Sequence, residues 1–192
     1  MTASSDSPPE AEQLLQDSGA LLEGHFQLAS GKHSQRYIEK FRLLERPTQT
    51  EALCRMIADW ARPLKPQLVA GPTTGGIIIS YEVGRLLGVR GIFAEKGNGQ
   101  SGRAFERGFV IAPGERTLVV DDVLTTGGSV RDVIDAVHRA GGEIVGVAVL
   151  IDRTGGKIDF GAPFFACLTL DVPAYDADDC PLCAQNIPLK LT

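Results

Sequence analysis

Two adjacent acids, Asp121 and Asp122, are followed within a few residues by Thr125, Thr126, Gly127, Gly128 and Ser129. Leu118, Val119 and Val120 precede the acids, so the segment reads as a buried strand that ends in carboxylates and turns into a helix. Backbone N–H groups of a glycine-rich turn at a helix N-terminus point at an anion, and the helix dipole adds to their attraction. The hydroxyls of Thr125, Thr126 and Ser129 supply further donors, while Asp121 and Asp122 suit the hydroxyls of a sugar. The chemistry is that of a sugar phosphate site. Read only as a strand-to-helix turn, the stretch makes Ser129 an N-cap paired with Asp132, which explains neither the acids nor the Thr-Thr-Gly-Gly run.

A second turn of similar character is Gly71-Pro72-Thr73-Thr74-Gly75-Gly76. The elements that must position both turns are legible from periodicity. Residues 68–70 form a strand, residues 77–87 a helix stopped by Gly88, and residues 89–94 a returning strand. The second unit has a strand at 117–120, a helix with Val130, Val133, Ile134 and Val137 on one face, a Gly141-Gly142 stop, and a strand at 144–151. Two such units predict a parallel sheet with right-handed crossovers, which brings both glycine turns to one crevice. Upstream, residues 11–23 read as a short amphipathic helix interrupted near Gly19. Leu53, Met56, Ile57 and Trp60 mark a helix face that Pro63 and Pro66 terminate.

The chain has 192 residues and a net charge of −5, with 43% hydrophobic and 22% charged residues, enough for one sizeable core. The longest apolar run, at 144–151, is far short of the roughly 20 residues needed to cross a bilayer, so no membrane span is expected. Residues 1–10 read as a disordered tail without the features of a secretory signal, which places the protein in the cytoplasm. Acids gather at Asp171, Asp176, Asp178 and Asp179, which disfavours a nucleic-acid partner. Lys32, Arg36, Lys96, Arg103, Arg107 and Arg153 lie in or beside predicted loops, where they can act locally on a small anion.

Cys180-Pro181-Leu182-Cys183 is half a zinc site by spacing, and His25, His33, His138, Cys54 and Cys167 show no partner spacing. A reduced, structural pair is expected, and no protein metal site. Residues 97–102 match G-x-G-x-x-G, but polar Glu95-Lys96 precedes them and Gly108, Pro113 and Gly114 follow, so no helix start awaits a pyrophosphate. A mobile lid over 96–108 fits better. The Gly-Lys-Ser/Thr ending of a Walker A loop is absent.

The run from Val119 to Ser129 is similar to the phosphoribosyl diphosphate (PRPP) signature of the type I phosphoribosyltransferases. The 71–76 turn looks like their diphosphate loop, although Gly75 stands near a place where some relatives carry lysine. Residues 26–38, with Leu28, Ser30, Gly31, Ser34 and Tyr37 in a Leu-x-Ser-Gly-x-x-Ser-x-x-Tyr pattern, resemble the N-terminal hood of the orotate phosphoribosyltransferases. Ala29 stands where many members have a basic residue, leaving Lys32 as a substitute. Asp152-Arg153 is similar to the turn whose arginine reaches the orotate ring, and a guanidinium fork matches a carboxylate or imide oxygen. On a bland reading Arg153 makes a surface salt bridge with Asp152.

The resemblance spans roughly residues 14–190. It implies a single α/β Rossmann-like domain over 11–192, with a central parallel sheet flanked by helices, a hood mainly at 20–45 and the lid at 96–108. It further implies transfer of the phosphoribosyl group from PRPP to orotate in pyrimidine biosynthesis. Asp121, Asp122 and Lys96 are the expected catalytic residues. PRPP is expected on Thr73, Thr74, Gly75, Gly76, Lys96, Arg103, Asp121, Asp122, Val123, Leu124, Thr125, Thr126, Gly127, Gly128 and Ser129, and orotate on Lys32, Tyr37, Thr125 and Arg153. Mg²⁺ is expected mainly through PRPP oxygens, and a homodimer with a shared lid is implied. The lid lacks the histidine that many members carry. An adenine-type purine enzyme or a non-catalytic PRPP-sensing regulator are the alternatives, against which stand the hood pattern with Arg153 and the lack of a basic helix.

Overall fold

The computed structural model of the chain describes residues 9–28, 30–97, 102–170 and 173–191. Its first elements are α1 (Pro9–Ser18), β1 (Leu21–Gln27), β2 (His33–Ile38), α2 (Lys40–Leu44), α3 (Pro47–Ala61), β3 (Leu68–Pro72), α4 (Gly75–Leu87) and β4 (Arg90–Lys96). There follow β5 (Arg103–Ala104), β6 (Arg116–Leu124), α5 (Gly128–Arg139), β7 (Glu143–Asp152), β8 (Phe164–Thr169), α6 (Pro181–Ala184) and β9 (Leu189–Leu191). Six strands form one sheet in the order β5-β4-β3-β6-β7-β8, parallel throughout except where β5 runs against β4. This is the expected α/β architecture. No helix among the described residues is long and apolar enough to cross a membrane.

Alternation along the central strands sorts the side chains into two layers. On β6, Leu118 and Val120 join the core under α1, α3 and α4, while Val119 joins the core under α5. On β7, Ala148 and Leu150 take the first face and Val147 and Val149 the second. Val130, Val133, Ile134 and Val137 of α5 close the second layer, as their spacing predicts. Burial of each such Leu or Ile contributes roughly 1.5–3 kcal/mol, which offsets the cost of carrying two acids at the end of the same strand. By the same alternation Asp121 continues the α5 face and Asp122 the α4 face.

Four expectations need correction. Residues 11–23 are not one interrupted helix: Gly19 adopts φ +68 and ends α1, and Leu21 and Leu22 then pair with Ile38 and Tyr37 of β2. A long-range strand partner overrides local helical spacing. Second, β6 runs through both acids to Leu124, because β7 offers a partner as far as Asp152. Third, the N-cap of α5 is Gly127 at φ +79, without a side-chain cap, so Ser129 sits inside the first turn and forms no capping box. Only glycine takes that left-handed conformation at little cost. Fourth, of the expected 1–10 tail, residues 1–8 lie outside the described residues and Pro9 and Glu10 begin α1.

The N-terminal segment forms a separate three-stranded sheet, β2-β1-β9, in which the C-terminal strand β9 runs parallel to β1. The hood is therefore built from both ends of the chain.

Candidate active site

The two glycine turns lie on the adjacent strands β3 and β6, at the carboxyl end of the sheet. Their contact is direct. A Cβ placed on Gly75 would collide with Asp122 Oδ2, so glycine is needed there for α4 to begin beside the acid. The chain thus has no room at Gly75 for the lysine that some relatives place near this position.

A guanidinium joins the turns instead. Arg103, only 5% exposed, donates from Nη1 to Thr73 Oγ1 at 2.8 Å and to the Ala94 carbonyl at 3.1 Å, and from Nη2 to Ser129 Oγ at 3.5 Å. Its Nε is buried without a hydrogen-bond partner. The Arg103 carbonyl in turn accepts from Arg139 Nη2 at 2.6 Å, which ties β5 to α5. Arg103 and Ala104 are thus strand residues anchored against the sheet, not free lid, because burying a guanidinium requires these fixed acceptors. Residues 98–101 of the expected lid lie outside the described residues.

Asp121 and Asp122 are nearly buried, at 7% and 3% exposure. Asp121 Oδ1 accepts from the Asp122 N–H at 2.8 Å, and Asp122 Oδ1 accepts from the Val123 N–H at 2.6 Å. Burial, and then the neighbouring Asp122 charge, push Asp121 up to about 7; the Asp122 N–H bond, then Lys40 and Arg103, oppose the shift. Lys40, at the start of α2, lies 2.8 Å from Asp122 Oδ2 and donates to Oδ1 at 3.1 Å. The Oδ2 contact is an ion pair without the alignment of a hydrogen bond. Sequence reading missed Lys40, since a lone lysine 82 residues from its partner carries no local signal.

Past the acids, Thr125, Thr126, Gly128 and Ser129 are exposed around the turn, with Val123 and Leu124 leading into it. The Arg131 N–H makes a helical bond to the Gly127 carbonyl, so the amides ahead of it at the start of α5 are open to an anion. Across the crevice Thr74 is exposed, while Gly76 is packed against Pro72. Lys96 stands exposed at the end of β4.

Arg153 follows β7 directly. Asp152 does not pair with it: the Asp152 carboxylate accepts from the Thr154 N–H and hydroxyl, each at 2.7 Å, and from the Gly156 N–H at 2.7 Å. The turn consumes the acid, so the bland alternative of a surface salt bridge to Arg153 is not realised. Arg153 Nε is left buried and unpartnered, and burial lowers the guanidinium below its ordinary pKa, with Tyr37 close enough to oppose the shift. Tyr37 of the hood therefore lies within electrostatic range of the arginine turn. Lys32 instead reaches Asp176 at 3.3 Å on the surface. Arg107 is likewise occupied, bonding both oxygens of Glu95 at 2.9 and 3.1 Å.

The family model described as the phosphoribosyl transferase domain matches residues 44–176. A protein of Thermotoga petrophila named orotate phosphoribosyltransferase is 48% identical over 179 residues, covering 93% of this chain and 95% of that protein. One of the same name from Pelotomaculum thermopropionicum is 50% identical over 179 residues, with 93% of each chain covered. The crystal structure of orotate phosphoribosyltransferase from Aeropyrum pernix superposes with a TM-score of 0.71 at 26% identity, over 82% of this chain and 92% of that one.

Proposed function

The chain belongs to the phosphoribosyl transferase domain family, and we propose that it holds PRPP across the Thr73 and Thr125 turns while Tyr37 and Arg153 present orotate to the ribose. The protein is an orotate phosphoribosyltransferase by its relatives: it moves the phosphoribosyl group of PRPP to orotate, giving orotidine 5′-monophosphate and diphosphate in pyrimidine biosynthesis.

The observation that carries the residue assignment is the unpartnered Nε of Arg153 beside Tyr37. A buried donor without an acceptor costs about 1–3 kcal/mol, which a planar anionic base relieves. The amides and hydroxyls from Thr125 to Ser129 take the 5′-phosphate. Asp121 and Asp122 accept from the ribose 2′ and 3′ hydroxyls and lie beneath the positive charge that develops on the ring as diphosphate leaves. Lys40 balances the Asp122 charge until the sugar arrives. Arg103 fixes the two turns in register, and Lys96 reaches toward the leaving diphosphate.

Mg²⁺ fits this donor set as a substrate-borne ion. Asp122 is engaged by Lys40 and Asp121 holds its proton readily, so a hard cation takes its ligands mainly from PRPP oxygens and water, with these two acids nearest in the chain. When bound it neutralises the leaving group. A homodimer sharing the lid and a cytoplasmic location complete the reading, on the family resemblance. The test is Arg153→Ala: it should raise the KM for orotate at least tenfold and leave that for PRPP within about twofold. Equal effects on both would remove the base contact.

A further inference from the structure

Four side chains that the site does not use converge between the hood and the C-terminal segment. His25 lies on β1, His33 opens β2, Cys180 is the N-cap of α6 and Cys183 lies within α6. One ligand atom from each falls within 4.8 Å of all the others, the only such group of three or more among the described residues. His25, His33 and Cys180 are buried, and Cys183 is exposed, which leaves a path from solvent.

The hydrogen bonding of His25 sets the chemistry. Its Nδ1 lies 2.8 Å from the Ile187 carbonyl, which only accepts, so Nδ1 carries a proton and a metal would take the lone pair of Nε2. That one lone pair faces His33 Nδ1 at 3.0 Å, Cys180 Sγ at 3.5 Å and Cys183 Sγ at 3.7 Å. Cys183 Sγ is also 3.3 Å from His33 Nδ1. Four atoms that each carry a lone pair when the thiols are ionised thus crowd one point, and a cation at their centre takes one pair from each. Tetrahedral zinc with bonds of about 2.0–2.1 Å to nitrogen and about 2.3 Å to sulfur has N–N edges of about 3.3 Å and N–S edges of about 3.6 Å. These four separations lie within about 0.4 Å of those edges, and the other two pairs stay within 4.8 Å. The Ile187 carbonyl is the partner that orients a ligating histidine from behind.

We propose that His25 Nε2, His33 Nδ1, Cys180 Sγ and Cys183 Sγ bind one zinc ion as a closed structural site that fastens the hood to the C-terminal segment. Two nitrogens and two thiolates select zinc, and four protein ligands leave no position open for catalysis. Binding releases the two thiol protons and involves no electron transfer. The same junction carries backbone bonds in both directions between His33 and Tyr175, and the β1–β9 pairing. Cys-x-x-Cys supplies one half of the site and two histidines eight residues apart the other, a spacing that spans a β-hairpin instead of one helix face. The proposal departs from the expectation of a metal-free cysteine pair.

Metal analysis of the full-length protein, purified in reductant and dialysed against a weak chelator, should find about one zinc per chain. X-ray absorption should show two sulfur and two nitrogen neighbours, and Co²⁺ added to the chelator-stripped protein should give the thiolate charge-transfer and intense visible bands of a tetrahedral S₂N₂ site. Cys183→Ser and His33→Asn should lose the zinc, while His138→Gln, at an exposed helix position, should keep it. Substoichiometric zinc in the wild type, or a metal with no sulfur neighbour, would overturn the proposal. The wild-type spectra decide it even if a variant fails to fold. The consequence for orotate rests on the hood reading above: zinc removal should raise the KM for orotate several-fold with that for PRPP little changed. Stoichiometric S₂N₂ zinc without that kinetic split would uphold the metal site and count against the hood assignment alone.

Discussion

Lys40 Nζ lies 2.8 Å from Asp122 Oδ2, joining the start of α2 to the end of β6 over 82 residues of chain. Asp122 is almost fully buried while the lysine is about one-third exposed, so the pair is screened on one side only. Lys40→Met leaves a buried carboxylate with a weaker partner set. The expected loss is about 1–2 kcal/mol, below the cost of breaking a fully buried pair. Thermal unfolding at pH 8 checks it, and an unchanged Tm would mean that the ion pair is idle.

Gly75 allows α4 to start against Asp122, since a Cβ there collides with the carboxylate. Gly75→Ala must displace either the acid or the Thr73 turn, so PRPP affinity measured by calorimetry should fall at least tenfold while the circular dichroism spectrum stays native. Retained affinity would show that the two turns do not hold the donor in this register.

Asp121, with a pKa near 7, should shape two pH profiles. The ionised form accepts from the ribose hydroxyl of bound PRPP, and kcat/KM reports ionisation in the free enzyme, so kcat/KM for PRPP should rise through about pH 7, and Asp121→Asn should flatten that limb and lower the rate at pH 8. Stability runs the other way. Between the ordinary value of 3.8 and about 7 the folded state holds a proton that the unfolded chain has lost. The stabilisation from that proton is complete below 3.8 and is lost as pH rises through 7. Asp121→Asn should therefore gain Tm relative to wild type at pH 8 more than at pH 5. A constant difference across that range would remove the assigned ionisation.

Strand alternation at Leu118, Val119 and Val120 and the face of α5 made the central sheet and its layers legible in the sequence, because each depends on near neighbours. The acids and the Thr-Thr-Gly-Gly turn were legible for the same reason. The N-cap alternative at Ser129 fails because side-chain capping and a left-handed glycine compete for one helix start, and Gly127 wins. Lys40 with Asp122, Arg103 with Thr73, and His25 with Cys183 were illegible: they lie 82, 30 and 158 residues apart, and only the folded topology makes them neighbours. Leu21 and Leu22 were read as helical because their strand partners begin beyond the next loop.

Turnover with a panel of bases tests the central assignment most directly. With PRPP and Mg²⁺ present, the protein should consume orotate and release diphosphate in equal amounts, and leave uracil, adenine, hypoxanthine and guanine untouched. Consumption of a purine, or PRPP binding with no loss of orotate, would contradict it.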